Sequence, residues 1–290
     1  MRKLDRRGWG AYIQMNYSAF TYMMISLPDL QLLEISGADA ISFAQAQFSS
    51  DVRGLADGAW QWSTWLSPQG RVRAFFQLVR DDGERLRLLL RGGDAEALRL
   101  ALLPYVLRAS VKLHVSSTCV YGSDQPVAHA LALPGASRRW LIVGAAPVDV
   151  DQSTPARECW LLADIRAGLP ILAANLLEQL LPQWLGLDRL GAISVSKGCY
   201  PGQEVMSRLH FKGGNKRSLY RIEFAAATPP APGTSLSTSA DSGAGQIIMT
   251  ARREDGRTEA LAWLTAAAAD TPLLAGAPSM GGIAVLERFA

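Results

Sequence analysis

The densest chemistry in the chain lies between Ser196 and Arg221. The run Lys197-Gly198-Cys199-Tyr200-Pro201-Gly202-Gln203-Glu204 sets a thiol among two glycines, an aromatic ring and a proline, and Arg208, His210, Lys212, Lys216 and Arg217 come after it. Glycine supplies positive φ or close backbone approach, and proline fixes φ near about −65°, so Cys199 is expected on a tight, preset turn. A thiol beside Lys197, with Arg208 or His210 within reach, has the surroundings of a nucleophile or a soft-metal ligand. The competing reading is an inert cysteine capping a turn, since cysteine is among the most often buried residue types.

Other catalytic signatures are missing. The three cysteines (Cys119, Cys159, Cys199) are far apart and form no CxxC pair, which fits a reducing compartment. The sequence contains no HExxH, GxSxG or GxGxxG, and Gly213-Gly214-Asn215-Lys216 has the wrong spacing for a phosphate loop. With 290 residues, 49% of them hydrophobic, the chain has material for about two domains. The 29 Lys+Arg against 26 Asp+Glu leave a net charge of +3, too balanced to specify nucleic acid; direct binding to it is not expected. The apolar stretches 98–107 and 176–187 are interrupted by Arg99, Pro104, Glu178 and Pro182, short of the ~20 residues a membrane span needs. Arg2, Lys3, Arg6 and Arg7 precede a polar and aromatic run, without the apolar core of a signal peptide. Residues 1–24 therefore read as a frayed extension, and a cytoplasmic monomer is expected.

The elements that must position the thiol are partly readable. Leu32–Ile35 is a short strand, and Ala40, Phe43, Ala44 and Gln47 continue at helical spacing. Three strands, Trp60–Leu66, Val72–Val79 and Leu86–Leu90, are separated by the turns Ser67-Pro68-Gln69-Gly70 and Asp81-Asp82-Gly83. Arg80, Arg85, Arg87 and Arg91 read as the solvated face of this meander. Asp94–Val106 predicts an amphipathic helix and Val111–Val115 a further strand. A second strand–helix set runs through Trp140–Val143, Trp160–Ile165 and Ala173–Leu185. After an Ala- and Pro-rich stretch at 225–233, β-like runs at Ser235–Ser239, Gly245–Arg252, Ala260–Leu264 and Ile283–Phe289 suggest a small β-barrel over 216–290. The absence of regular strand–helix alternation makes the fold class α+β.

Lys197–Glu204 resembles the KGCYxGQE signature of the YgfZ family of folate-binding proteins, and Arg208 with 211–217 is similar to the continuation of that signature in the family. Weaker resemblance reaches back through Ile35–Asp39, Gln47, Asp51-Val52, 67–80, 104–111 and Ile165–Pro170, covering roughly 28–221. The family in turn resembles the glycine-cleavage T-protein, an aminomethyltransferase that uses tetrahydrofolate. The resemblance implies a multi-domain ring around a central folate-sized channel, with residues 25–215 as two interleaved α+β subdomains and the barrel behind them. It implies that Cys199 is the functional thiol, with Lys197 and Arg208 biasing the charge around it. Gly198, Tyr200, Gly202, Gln203 and Glu204 are then motif positions at the folate site. Of two tryptophans associated with folate in the family, the later matches Trp160, whose ring is suited to stacking on a pterin. The earlier falls at Leu30, so that half of the clamp is apolar without being aromatic.

For function, the resemblance implies a tetrahydrofolate-binding accessory factor for assembly or repair of [4Fe–4S] clusters in selected enzymes, including some that modify tRNA. Its partners are folate and iron–sulfur client or assembly proteins. The alternative is a folate-dependent methyl or aminomethyl transferase. Two departures argue against glycine-cleavage chemistry. The stretch Arg71–Phe75 carries no acid where T-proteins have an essential one, and Cys199 stands where they have Asp. A third reading, an RNA module using Arg208–Arg221, lacks interleaved aromatics beyond Phe211 and Tyr220.

Overall fold

The strand Val72–Asp82 is apolar on both faces for most of its length, because two different cores lie against it. The computed structural model describes residues 24–144, 150–213, 215–275 and 280–289. In chain order these form β1 (Ile25–Ser26), β2 (Leu32–Ser36), α1 (Ala40–Gln47), β3 (Trp60–Leu66), β4 (Val72–Asp82), β5 (Arg85–Leu90), α2 (Ala95–Val106) and β6 (Lys112–Ser116). Then come β7 (Cys119–Ser123), β8 (Leu131–Leu133), β9 (Arg139–Gly144), α3 (Thr154–Arg166), α4 (Gln203–Lys212) and β10 (Arg217–Ala226). The chain finishes with β11 (Ser235–Ser237), β12 (Gly245–Arg252), β13 (Arg257–Thr265), α5 (Ala266–Ala269), β14 (Leu274–Ala275) and β15 (Met280–Phe289). The expected extension over 1–24 lies, except for Met24, outside the described residues. No helix among the described residues is long and apolar enough to cross a membrane.

Three sheets result, ordered β3-β4-β5-β2-β6, β1-β7-β9-β8 and β14-β11-β12-β13-β10-β15. On β4, Ala74, Phe76 and Leu78 point to one side and join Phe43 and Ala44 of α1 and Leu98 and Leu102 of α2. Phe75 and Val79 point to the other side and join Trp160 and Ile165 of α3, Leu141 of β9 and Leu219 and Leu261 of the third sheet. That second cluster draws residues from all three sheets, so it is what binds them together. The period of two along a pleated strand is the cause. The third sheet repeats the pattern, with Tyr220, Ile222 and Phe224 facing a core of their own.

Strand and helix starts obey local chemistry. The Asp94 carboxylate caps α2 by accepting from the Ala97 N–H at 2.7 Å, and the Ser153 hydroxyl caps α3 by accepting from Ala156 at 3.3 Å. Differences from the sequence reading have physical reasons. Trp160–Ile165 is the last half of α3, and 173–185 gives only two 3₁₀ turns, Ala174–Leu176 and Pro182–Leu185, the second opened by its proline. Arg91 is the main correction: it is fully buried rather than part of a solvated face. Its guanidinium donates to Asp164 at 2.7 Å and to the Leu169 carbonyl at 3.2 Å, while Arg139 approaches the other Asp164 oxygen at 2.8 Å. A buried guanidinium needs such a partner.

Candidate functional site

The segment 194–202 carries no regular structure, yet it is anchored at Ser194, Lys197, Tyr200 and Gly202. Ser194 N–H donates to the Ser49 carbonyl at 2.8 Å, while the Ser49 hydroxyl donates to the Ala192 carbonyl at 2.6 Å. Lys197 is buried, and its Nζ donates to the carbonyls of Phe48 (2.5 Å) and Ser50 (2.9 Å), just past α1. Burial lowers the Lys197 amine to about 8; Asp51 works to raise it and Arg53 to lower it further. The Tyr200 hydroxyl donates to the Ser194 carbonyl at 2.9 Å, and the Lys197 amine sits 5.1 Å from the centre of the Tyr200 ring. Burial pushes the Tyr200 phenol up to about 12. Gln203 closes the loop, its amide donating to the Lys197 carbonyl at 3.2 Å.

The glycines divide the work. Gly202 takes φ +80° as the N-cap of α4, and a Cβ there would stand 2.6 Å from the Ser67 carbonyl oxygen and 2.9 Å from Gly70 Cα. A Cβ on Gly70, at φ +74°, would stand 2.8 Å from Met206 Cε and 3.1 Å from Val205 Cβ of α4. The β3–β4 turn and the start of α4 therefore touch backbone to backbone. Gly198 is exposed with open space around it. Cys199 beside it is a free, exposed thiol. Glu204 is exposed in the first turn of α4, where a carboxylate suits the helix N-terminus, and Arg208 is exposed one turn further on. The arrangement presents one thiol to solvent on a loop anchored on either side of it, at Lys197 and Tyr200, a geometry suited to attack or ligation. Among the described residues no three His, Cys, Asp or Glu gather into a metal-binding group.

Leu30 and Trp160 do not join this surface. Leu30 is 6% exposed and Trp160 1%, both in the core shared by the three sheets. The Arg139 guanidinium lies 4.7 Å from the centre of the Trp160 ring, and Gly122 of β7 leaves room for the ring's edge, where a Cβ would stand 2.5 Å away. The Trp160 indole N–H has no partner among the described residues. Gln77 of β4 faces the same core from beside Phe75 and Val79, fully buried with neither amide atom paired. Sequence reasoning did not single out Gln77; a lone Gln in the run Phe75–Val79 was the available signal. The Phe48 and Ser50 carbonyls were missed for a better reason, since backbone acceptors leave no residue-type trace.

No family model matches the chain. Among relatives, an uncharacterised protein of Haemophilus influenzae is 31% identical over 201 residues, 68% of this chain and 71% of that one. Several others are named tRNA-modifying protein YgfZ: that of Enterobacter sp. (strain 638) is 29% identical over 272 residues, covering 81% of this chain and 82% of its own. The one from Vibrio vulnificus (strain YJ016) is 28% identical over 279 residues, 84% of each chain. The chain belongs to the YgfZ family. Among solved structures, the glycine cleavage system aminomethyltransferase T of Bartonella henselae matches with a TM-score of 0.69 at 14% identity, covering 91% of this chain and 84% of that one. YgfZ membership thus comes with a T-protein-like fold.

Proposed function

We propose that this protein is a tetrahydrofolate-binding accessory factor that supports assembly or repair of [4Fe–4S] clusters in client enzymes of the cytoplasm, tRNA-modifying enzymes among them, and that Cys199 is its functional thiol. The observation that carries the reading is the anchored loop, which holds an exposed thiol between the buried Lys197 and the Gly202 contact with the β3–β4 turn along the chain. Lys197, with its amine committed to two carbonyls, acts as a positioning residue; Arg208 contributes charge on the exposed side of α4. The reading divides the chain into a folate-binding region over 25–215 and a barrel over 216–290, arranged around a channel. The isolated bridge between Leu273 and Ile283 supports the barrel, because it ties the residue before β14 to β15, the two edges of the third sheet.

In the core that holds Leu30 and Trp160, two unpaired polar groups favour folate by their chemistry. The aminopyrimidinone edge of a pterin offers both donors and acceptors, which the unpaired Gln77 amide and Trp160 indole N–H lack. Bound tetrahydrofolate would supply one-carbon carrier chemistry. Both residues are closed to solvent in this structure.

Calorimetric titration of tetrahydrofolate into the reduced protein tests the cofactor, with saturation near one per chain expected. Gln77→Leu separates binding from folding: it removes an unsatisfied buried amide, so stability holds or rises while folate affinity falls. Wild type that does not bind folate overturns the cofactor assignment. A Cys199→Ser variant that binds folate and fully restores client-enzyme activity overturns the role of the thiol.

A further inference from the structure

A cavity of about 360 Å³ opens on the other side of the Ser67–Arg71 turn, between the third sheet and the 3₁₀ turn at Pro182–Leu185. Its lining includes Arg71, Trp184, Arg217 and Trp263, with Ser235 and Ser242 at its edge. The Arg217 guanidinium packs against two adjoining indoles, 4.2 Å from the centre of Trp184 and 4.4 Å from that of Trp263, whose ring centres are 5.6 Å apart. The Trp263 N–H is tied to Gln246 at 3.2 Å, which fixes one ring of this cluster. Arg71 stands 5.1 Å from the Trp184 centre and gives one donor to the Gln179 carbonyl at 2.7 Å.

The two cations are unlike their neighbours. On the same sheet Arg221 pairs with Glu259 and Glu287, and Arg257 with Glu223; Arg166 reaches Glu259 from α3. Neither Arg71 nor Arg217 has a carboxylate partner among the described residues, and no residue lining the cavity is acidic. Among the described residues no carboxylate and no hydrogen-bond acceptor takes up the N–H edge of Arg217, which is left for a ligand. That edge matches the two oxygens of a carboxylate or phosphate. The volume suits a small molecule.

We infer that this cavity is a binding site for a small oligoanion bearing at least two carboxylate or phosphate groups, held by Arg217 and Arg71. The site is independent of the folate reading and of Cys199. The test is calorimetric titration of the full-length reduced protein with pyrophosphate and, separately, with citrate, with indole fluorescence as a second readout. One-to-one binding of either anion is expected, weakened at least tenfold by Arg217→Gln and by Ser242→Glu, which sets a like charge at the cavity's exposed edge. Ser242→Glu alters no packed residue, so it decides the matter if Arg217→Gln fails to fold. Pyrophosphate alone identifies a phosphate ligand, citrate alone a carboxylate, and both together a site reading charge count. The inference is overturned if neither anion binds the folded wild type, or if either folded variant binds as tightly as wild type.

Discussion

Gly202 and Gly198 flank the same thiol, and the structure assigns them opposite sensitivities. In Gly202→Ala the new side chain must adopt φ +80°, which costs about 1–2 kcal/mol for an L-residue. Its Cβ also stands 2.6 Å from the Ser67 carbonyl, where ordinary contact starts at 3.4 Å, so the turn must retreat by about 0.8 Å. Retreat is hindered because the obstacle is backbone and the turn is pinned by Gly70 against Met206 and Val205. Strain and displacement together give a loss of roughly 2–4 kcal/mol. At about 2–4 °C per kcal/mol for a chain of this size, the thermal midpoint falls by roughly 5–15 °C. Gly198→Ala, with open space around it, stays within about 0.5 kcal/mol of wild type. Thermal and urea unfolding of both variants, with the rate of Cys199 modification by a thiol reagent, measure the contrast. A Gly202→Ala protein as stable as wild type, or a Gly198→Ala protein as damaged as Gly202→Ala, refutes the backbone contact on which the site's rigidity rests.

The other expectations concern charge. Lys197 titrates near 8 in the folded protein and at 10.5 when unfolded, so between those values the unfolded chain holds the extra proton and stability from this group rises with pH. Tyr200 acts in the opposite sense above pH 10, where the unfolded phenol ionises before the folded one at about 12. Urea midpoints at pH 7.5 and 9.5 should therefore increase more in wild type than in Lys197→Met; equal increases would remove Lys197 as the source. Asp164→Asn leaves Arg91 and Arg139 buried without a counter-charge and should lose about 3–5 kcal/mol in chemical unfolding, an effect that a loss under 1 kcal/mol would contradict. Cys199→Ser should unfold within about 0.5 kcal/mol of wild type, because the thiol is exposed; a larger loss would mean that it packs.

The motif was legible because its residue types dictate local backbone: Pro201-Gly202 implied a close turn, and the Ser67–Gly70 turn that Gly202 touches was also readable. Asp94 gave the start of α2, and the alternation in 60–66 and 245–252 gave strands. Legibility failed where the partner lies far along the chain. Arg91 looked like a solvated arginine, since nothing near it announces Asp164, 73 residues on. Strand β7, Cys119–Ser123, has too few residues to show a period. Trp184, Arg217 and Trp263 lie scattered over 80 positions, and only folding makes them a cluster.

Lys197 is bonded to main-chain oxygens, which every amino acid possesses. Phe48 and Ser50 can therefore drift to other residues of suitable size without releasing the amine, while Lys197 itself cannot change. Correlated substitution between the loop and its dock should be weak even though the two are in direct contact, so covariation would underestimate this interface. For the same reason the loop is a candidate for grafting: a host needs two converging carbonyls at the right spacing and a close glycine turn, whatever side chains surround them.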